Sequence, residues 1–269
     1  MVQAARKQRS DKGRVRVNAR DFRCLTWLLE MGSAYEDDLA IVLDPAMQTS
    51  RDAARAVVRR WMQADLVHAD GLFANRGRIV RLTENGARLV GEVDHRADEP
   101  VTAAVHAAEA ARTRLLLEHQ TPVAGVAVVG WVSPRRWRAE NEAVVAAGAL
   151  VPDGVARLAD GSSAAVQVER VFREMPSVVT AAVDLLRRFP RAIYAVPSMI
   201  DGLPGLVEAA LNQAVGQIRA DGSVPGTPTF VQIPDRLVPN RTSVTTEETG
   251  NLRTTRPGTA SRQGRPWPR

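Results

Sequence analysis

The sequence predicts a mixed α/β protein, α+β overall, with a mainly helical N-terminal part, a sheet-containing C-terminal part and a basic arm at each end. Three observations lead there. Residues 18 to 94 show helical periodicity followed by a short hairpin pattern, and residues 101 to 233 alternate strand-length apolar runs with helical ones. Charge is segregated: of a net +6, residues 1 to 20 carry +6 and residues 234 to 269 carry +4, which leaves the middle 213 residues at −4. Basic arms around an acidic middle are common in chains that hold polyanions.

Composition narrows the class further. At 269 residues, 45% apolar and 25% charged, the chain suits a soluble globular protein with one large or two ordinary cores. It has no apolar run of the length a membrane helix needs, about 18 residues, so no membrane partner is expected. The basic N-terminus lacks the apolar stretch of a secretory signal. A lone cysteine, Cys24, excludes a disulfide framework and a zinc-finger cluster, and fits a reducing, cytoplasmic setting. Residues 1 to 17 read as a flexible basic arm, "VDHRADEP" (93 to 100) as a polar linker, and residues 234 to 269, rich in Pro, Thr, Gly and Arg, as a disordered tail.

The elements of the first part follow in order. "ARDFRCLTWLLEMG" places Phe22, Leu25, Leu28 and Leu29 on one helical face and stops at Gly32. "YEDDLAIVL" reads as a short second helix. "TSRDAARAVVRRWMQADL" starts at an N-cap, Thr49 or Ser50, and buries Ala54, Val57, Val58, Trp61 and Met62. Two short strands joined near "ANRG" come next, then a closing helix capped by Thr83. Three helices and a hairpin in this order make a winged helix-turn-helix. "VRRWMQADLV" looks like the end of a winged-helix recognition helix, and "VRLTENGARLV" is similar to the "LT..G..L" segment that closes the wing in many bacterial regulators. Asp65 stands where such proteins often have Gly, which predicts a differently shaped turn.

The third helix carries Arg51, Arg55 and Arg59 at four-residue spacing, on the face opposite Val57, Val58 and Trp61, with Arg60 beside them. Like charges at this spacing repel by a few tenths of a kcal/mol per pair. Phosphates or guanine edges would neutralise such a stripe. Arg76 and Arg78 flank Gly77 at the hairpin tip, where a wing tracks a phosphate backbone or minor groove. These six arginines are the candidate DNA-binding residues.

In the second part, "VPDGVARLADGSSAAVQVER" (151 to 170) reads as a strand hairpin. A five-residue loop pairs Leu158 with Ala164, Val155 with Gln167 and Asp153 with Glu169. Alternation then puts Asp153, Arg157, Gln167 and Glu169 on one face and Ala156, Leu158, Val166 and Val168 on the other. A helix, a strand, a second helix and a last strand, "TFVQI", complete an order that suits an α/β sheet of the restriction-endonuclease-like type.

With the preceding winged helix, this part resembles the replication-relaxation (MobC-like) family of mobile genetic elements, most sharply in "PDGVARL" and "AVQVER". The resemblance implies a winged helix followed by a domain similar to PD-(D/E)xK nucleases, whose pattern is Pro-Asp, then Glu-x-Glu, then a nearby Lys. Pro152, Asp153 and Glu169 match; Gln167 replaces the first Glu, and Arg173 lies where the Lys is expected. Magnesium favours charged oxygen ligands, and a guanidinium stays protonated and cannot act as a general base. Asp153, Gln167, Glu169 and Arg173 therefore read as a vestigial site, with no catalytic residue and no cofactor expected.

The four histidines, His68, His95, His106 and His119, lack metal-ligand spacing and read as surface or core residues. "GWVSPRRWRAENE" offers two Trp for stacking on nucleic acid or, equally, for packing at a strand-to-helix junction. The function expected is a double-stranded DNA-binding accessory or regulatory protein of a plasmid, integrative element or phage, acting in replication, transfer or transcription control, with the second domain serving homodimerisation or DNA clamping. The alternatives are a metal-dependent nuclease holding Mg with Asp153 and Glu169, and an adaptor that recruits a relaxase or replication initiator.

Overall fold

A computed structural model describes residues 16–46, 49–73, 77–92 and 100–237. Helix α1 (Ala19–Met31) begins at a capping box: the Asn18 side chain accepts from the Asp21 N–H at 2.9 Å, and the Asp21 carboxylate accepts from the Asn18 N–H at 3.1 Å. Gly32, at φ +79°, ends it. Cys24, Leu25, Trp27, Leu28 and Met31 are buried, whereas Phe22 is 45% exposed. The buried stripe is thus rotated from the expected one toward Trp27, whose ring meets Arg114 of a later helix.

A three-residue strand that the sequence does not announce, β1 (Ser33–Tyr35), follows, so Tyr35 is in a strand and α2 (Leu39–Leu43) is shorter than expected. Helix α3 (Arg51–Gln63) is capped by Ser50, which accepts from the Ala53 N–H at 3.2 Å, while Thr49 bonds Asp44 instead. Its core face is Ala54, Val57, Val58 and Trp61; Met62 is exposed. Strands β2 (Val67–Phe73) and β3 (Gly77–Leu82) pair antiparallel, and β1 joins the far side of β3, giving the order β1-β3-β2. Helix α4 (Glu84–Leu89) is capped by Thr83, as expected.

The turn after α3 keeps the shape a glycine would give it. Asp65 sits at φ +54°, a left-handed conformation that Asp tolerates better than most side chains. The Asp65 carbonyl accepts from the Thr83 hydroxyl at 2.6 Å, which ties the turn to the cap of α4. Gly86 completes the lock: a Cβ there would lie 2.0 Å from the Leu66 carbonyl oxygen. The Thr and the Gly of the "LT..G" segment each have a mechanical reason.

Helix α5 (Val101–His119) is buried around most of its circumference, from Ala104 and Ala108 to Leu115, Leu116 and Leu117, as a helix inside a core must be. One side meets α1, β1 and β3; the other meets a five-stranded sheet. That sheet is built from β4 (Val128–Val132), β5 (Gly154–Leu158), β6 (Ser163–Val168), β7 (Arg191–Pro197) and β8 (Thr227–Ile233), in that spatial order. The first three strands form an antiparallel meander, and β7 and β8 continue in parallel with β6. Short helices α6 (Pro134–Glu140) and α7 (Glu142–Ala146) follow β4, and α8 (Met175–Arg188) and α9 (Leu203–Ala220) form the two parallel crossovers. β7 is buried along nearly its whole length, which is why "AIYAVP" is an unbroken apolar run.

The sheet has two core faces. Ala156, Leu158, Ala164, Val166, Val168, Ile193 and Ala195 pack in one cluster with α5 and with residues of α1, α2 and α3. Ala165, Ala192, Tyr194 and Val196 pack under α8 and α9. The two parts read from the sequence therefore share one continuous apolar core through α5. Residues 93–99 of the expected linker, residues 1–15 of the N-terminal arm and residues 238–269 of the tail lie outside the described residues. The folded part extends past the expected boundary at 233: Leu237 is buried, and Arg112 donates to the Asp235 carbonyl at 2.6 Å.

Among the described residues, no helix is long and apolar enough to cross a membrane. Trp131 and Trp137 pack separately: Arg114 lies over the Trp131 ring, and buried Trp137 in α6 stacks with Arg188 and tilts against Phe189.

Candidate functional site

The exposed face of α3 is where the arginine stripe was expected to await an anion, and the chain itself supplies most of the acceptors. Arg55 is held at Asp37, with Nε to Oδ1 at 3.0 Å and Nη2 to Oδ2 at 3.2 Å. Arg60 pairs at 2.5 Å with Asp21, the capping-box residue of α1, whose side chain is fully buried. Arg51 donates to the Leu237 carbonyl at 3.1 Å. On β3, Arg78 grips Glu36, with Nε to Oε2 at 3.0 Å and Nη2 to Oε1 at 2.5 Å. Arg78 thus turns inward from the hairpin tip; Arg76 lies outside the described residues. Of the five described, Arg59 is the one that is exposed with no hydrogen bond or ion pair among the described residues.

Two of these acceptors, Asp37 and Glu36, share an origin that sequence reasoning missed. Glu36, Asp37 and Asp38 form the turn between β1 and α2, and all three are buried. Each takes a different arginine: Glu36 takes Arg78 of β3, Asp37 takes Arg55 of α3, and Asp38 takes Arg112 of α5 at 2.7 Å. Arg112 also lies 4.0 Å over the Tyr35 ring, and the Tyr35 hydroxyl donates to Glu109 at 2.8 Å. Buried carboxylates are retained only when paired. The run "YEDD" next to so many arginines was the available signal, but it reads as a solvated helix start until the partners are known. The like-charge cost along α3 is therefore relieved largely within the chain.

The second cluster lies where β5 begins and β6 ends. The register differs from the expected one by two residues: Gly154 faces Val166 and Val155 faces Ala165, so Asp153 falls opposite Gln167 and not Glu169. The cause is the loop, which closes at Leu158 N–H to Ser162 carbonyl around Gly161 at φ +82° and is shorter than five residues. An even shift leaves each side chain on its expected face.

Every carboxylate oxygen in this cluster is engaged. Asp153 Oδ1 is 2.7 Å from His106 Nε2 on α5, and Oδ2 accepts from the Val168 N–H at 2.7 Å. Arg173 grips both oxygens of Glu169. Burial pushes the Glu169 carboxyl up, against the pull of Arg173. The bond to Asp153 raises the His106 imidazole, against its burial. Gln167 Oε1 and the neighbouring Tyr194 hydroxyl are buried without a hydrogen-bond partner among the described residues, and burial raises the Tyr194 phenol. Sequence reading placed Asp153, Gln167, Glu169 and Arg173 together but treated His106, 47 residues away from Asp153, as a surface or core residue.

A divalent metal does not fit this donor set. Asp153 has both oxygens committed, Gln167 offers a neutral amide, and the Arg173 guanidinium occupies the side of Glu169 where a cation would bind. Among the described residues, no three His, Cys, Asp or Glu side chains converge as a metal site. Comparisons with protein-family models, curated proteins and solved structures give no match for this chain.

Proposed function

We propose that this chain is a double-stranded DNA-binding protein of a mobile genetic element, an accessory or regulatory factor in replication, transfer or transcription. The observation that carries the reading is the order α1-β1-α2-α3-β2-β3 closed as a β1-β3-β2 sheet, with arginines along the outer face of α3 and a hairpin directly after it. This is the order of a winged helix, in which the third helix enters the major groove and the hairpin contacts the backbone. It accords with the resemblance of the sequence to the replication-relaxation family. Leu237, the last described residue, accepts from Arg51 on the first turn of α3. The basic residues of the two arms add net charge that neutralises phosphates without reading bases.

The second part is read as a nuclease-like domain that holds DNA or a second copy without cutting. Its support is the meander β4-β5-β6 followed by a helix and parallel β7, with Asp153, Gln167 and Glu169 where β5 begins and β6 ends. The engaged carboxylates argue against cleavage. Two assays test the proposal. Selection from a random duplex pool should converge on a common sequence, and supercoiled plasmid should stay intact with magnesium or manganese. A pool that stays random contradicts DNA reading. Nicking that Asp153→Ala abolishes would make the chain a metal-dependent nuclease.

A further inference from the structure

Arg55 on α3 and Arg78 on β3 come from the two elements that a winged helix presents to DNA, yet they are anchored by adjacent residues of one buried turn. Each docks the same edge of its guanidinium, Nε and Nη2, on both oxygens of a carboxylate. The acceptors are rigid: the Asp37 and Glu36 side chains are only 6% and 4% exposed. Arg55 and Arg78 remain 41% and 32% exposed. A guanidinium has five N–H donors in a fixed plane, so docking one edge leaves Nη1 directed away from the carboxylate. Among the described residues, Nη1 of Arg55 has only a 3.5 Å contact with exposed Asp52, and Nη1 of Arg78 only a 3.5 Å contact with the Met62 sulfur. Gly77, where β3 begins, packs 3.8 Å from the Asp37 carboxyl carbon, measured from where its Cβ would be. The turn therefore sets helix and hairpin against each other.

We infer that Glu36 and Asp37 are positioning residues for sequence discrimination: they fix Arg78 and Arg55 as a pair of oriented donors toward DNA. This inference rests on the DNA-binding reading. A forked carboxylate–arginine pair is close to neutral, so it adds little to general attraction for phosphate. What it adds is direction, and bidentate or well-aimed donors distinguish bases where a loose charge does not. Charge-driven affinity then falls to Arg59 and the basic arms.

The test compares two probes, a duplex selected by the wild-type protein from a random pool and a scrambled duplex of the same composition. Asp37→Asn keeps the shape of the side chain and removes its charge. It should strengthen binding to the scrambled duplex and lower the ratio of selected to scrambled affinity by about tenfold, near the low end of what one bidentate contact discriminates. It should also steepen the salt dependence by about one counterion. Arg55→Lys guards against a folding defect, because it keeps the charge at a half-exposed position and loses only the fork. It should lower the same ratio without steepening the salt slope. A ratio unchanged in both variants, or affinities raised equally for both probes, would overturn the inference. A wild-type protein that binds neither probe would overturn the DNA reading beneath it.

Discussion

His106 Nε2 lies 2.7 Å from Asp153 Oδ1, and this contact joins the central helix α5 to the first residue before β5. The other oxygen of Asp153 is taken by the Val168 N–H, so one carboxylate fastens a helix and two strands. The resemblance seen in the sequence implied a vestigial metal ligand at Asp153. Here it works as a structural tie with a titratable partner.

The tie should depend on pH. The bond to Asp153 raises the His106 imidazole above its usual range, with Glu169 adding to the effect and burial and Arg170 opposing it. A raised histidine stabilises the fold fully below its unfolded value, about 6.5, and the contribution fades as pH rises through the folded value. The difference in urea midpoint between wild type and His106→Ala should therefore be larger near pH 6 than near pH 9. A difference that is flat, or that grows with pH, would remove the tie.

Gly86→Ala should destabilise the N-terminal part. The added Cβ would sit 2.0 Å from the Leu66 carbonyl oxygen, which is backbone and cannot swing aside. Overpacking of this kind costs about 1–3 kcal/mol. A thermal melt equal to that of wild type would show that the turn after α3 is not as tightly held as it looks.

Arg60→Ala should lower stability, not merely DNA affinity. It strands Asp21, whose side chain is fully buried and retains only its capping bond from Asn18. Leaving a buried acceptor short of a partner costs about 1–3 kcal/mol. Chemical denaturation measures this directly, and an unchanged midpoint would return Arg60 to the set of free DNA contacts.

What the sequence disclosed was what periodicity carries. The core face of α3 apart from Met62, the Thr83 cap, the two faces of the β5–β6 hairpin and the crossover order of α8 and α9 follow from local spacing and turn chemistry. β1 was hidden because three residues cannot show alternation. The hairpin register slipped by two because "ADGSS" is compatible with more than one loop length, and only the even shift kept the faces correct. The partners of Glu36, Asp37, Asp38 and Asp153 were illegible for a different reason. Each lies 18 to 74 residues away, and no local pattern links a carboxylate to an arginine or histidine at such a distance. Long-range partners of the same kind, Leu237, Asp37 and Asp21, separate Arg59 from Arg51, Arg55 and Arg60 of α3.

That separation gives the most direct test of the account. Arg59 is exposed on α3 without an ion pair among the described residues, so its removal should disturb no buried carboxylate. Fluorescence anisotropy with a duplex selected by the wild-type protein should show Arg59→Ala binding about tenfold or more weakly, at an unchanged melting temperature, since contacts of this kind contribute about 1–3 kcal/mol. Wild-type affinity in a folded Arg59→Ala protein would mean that α3 does not face DNA.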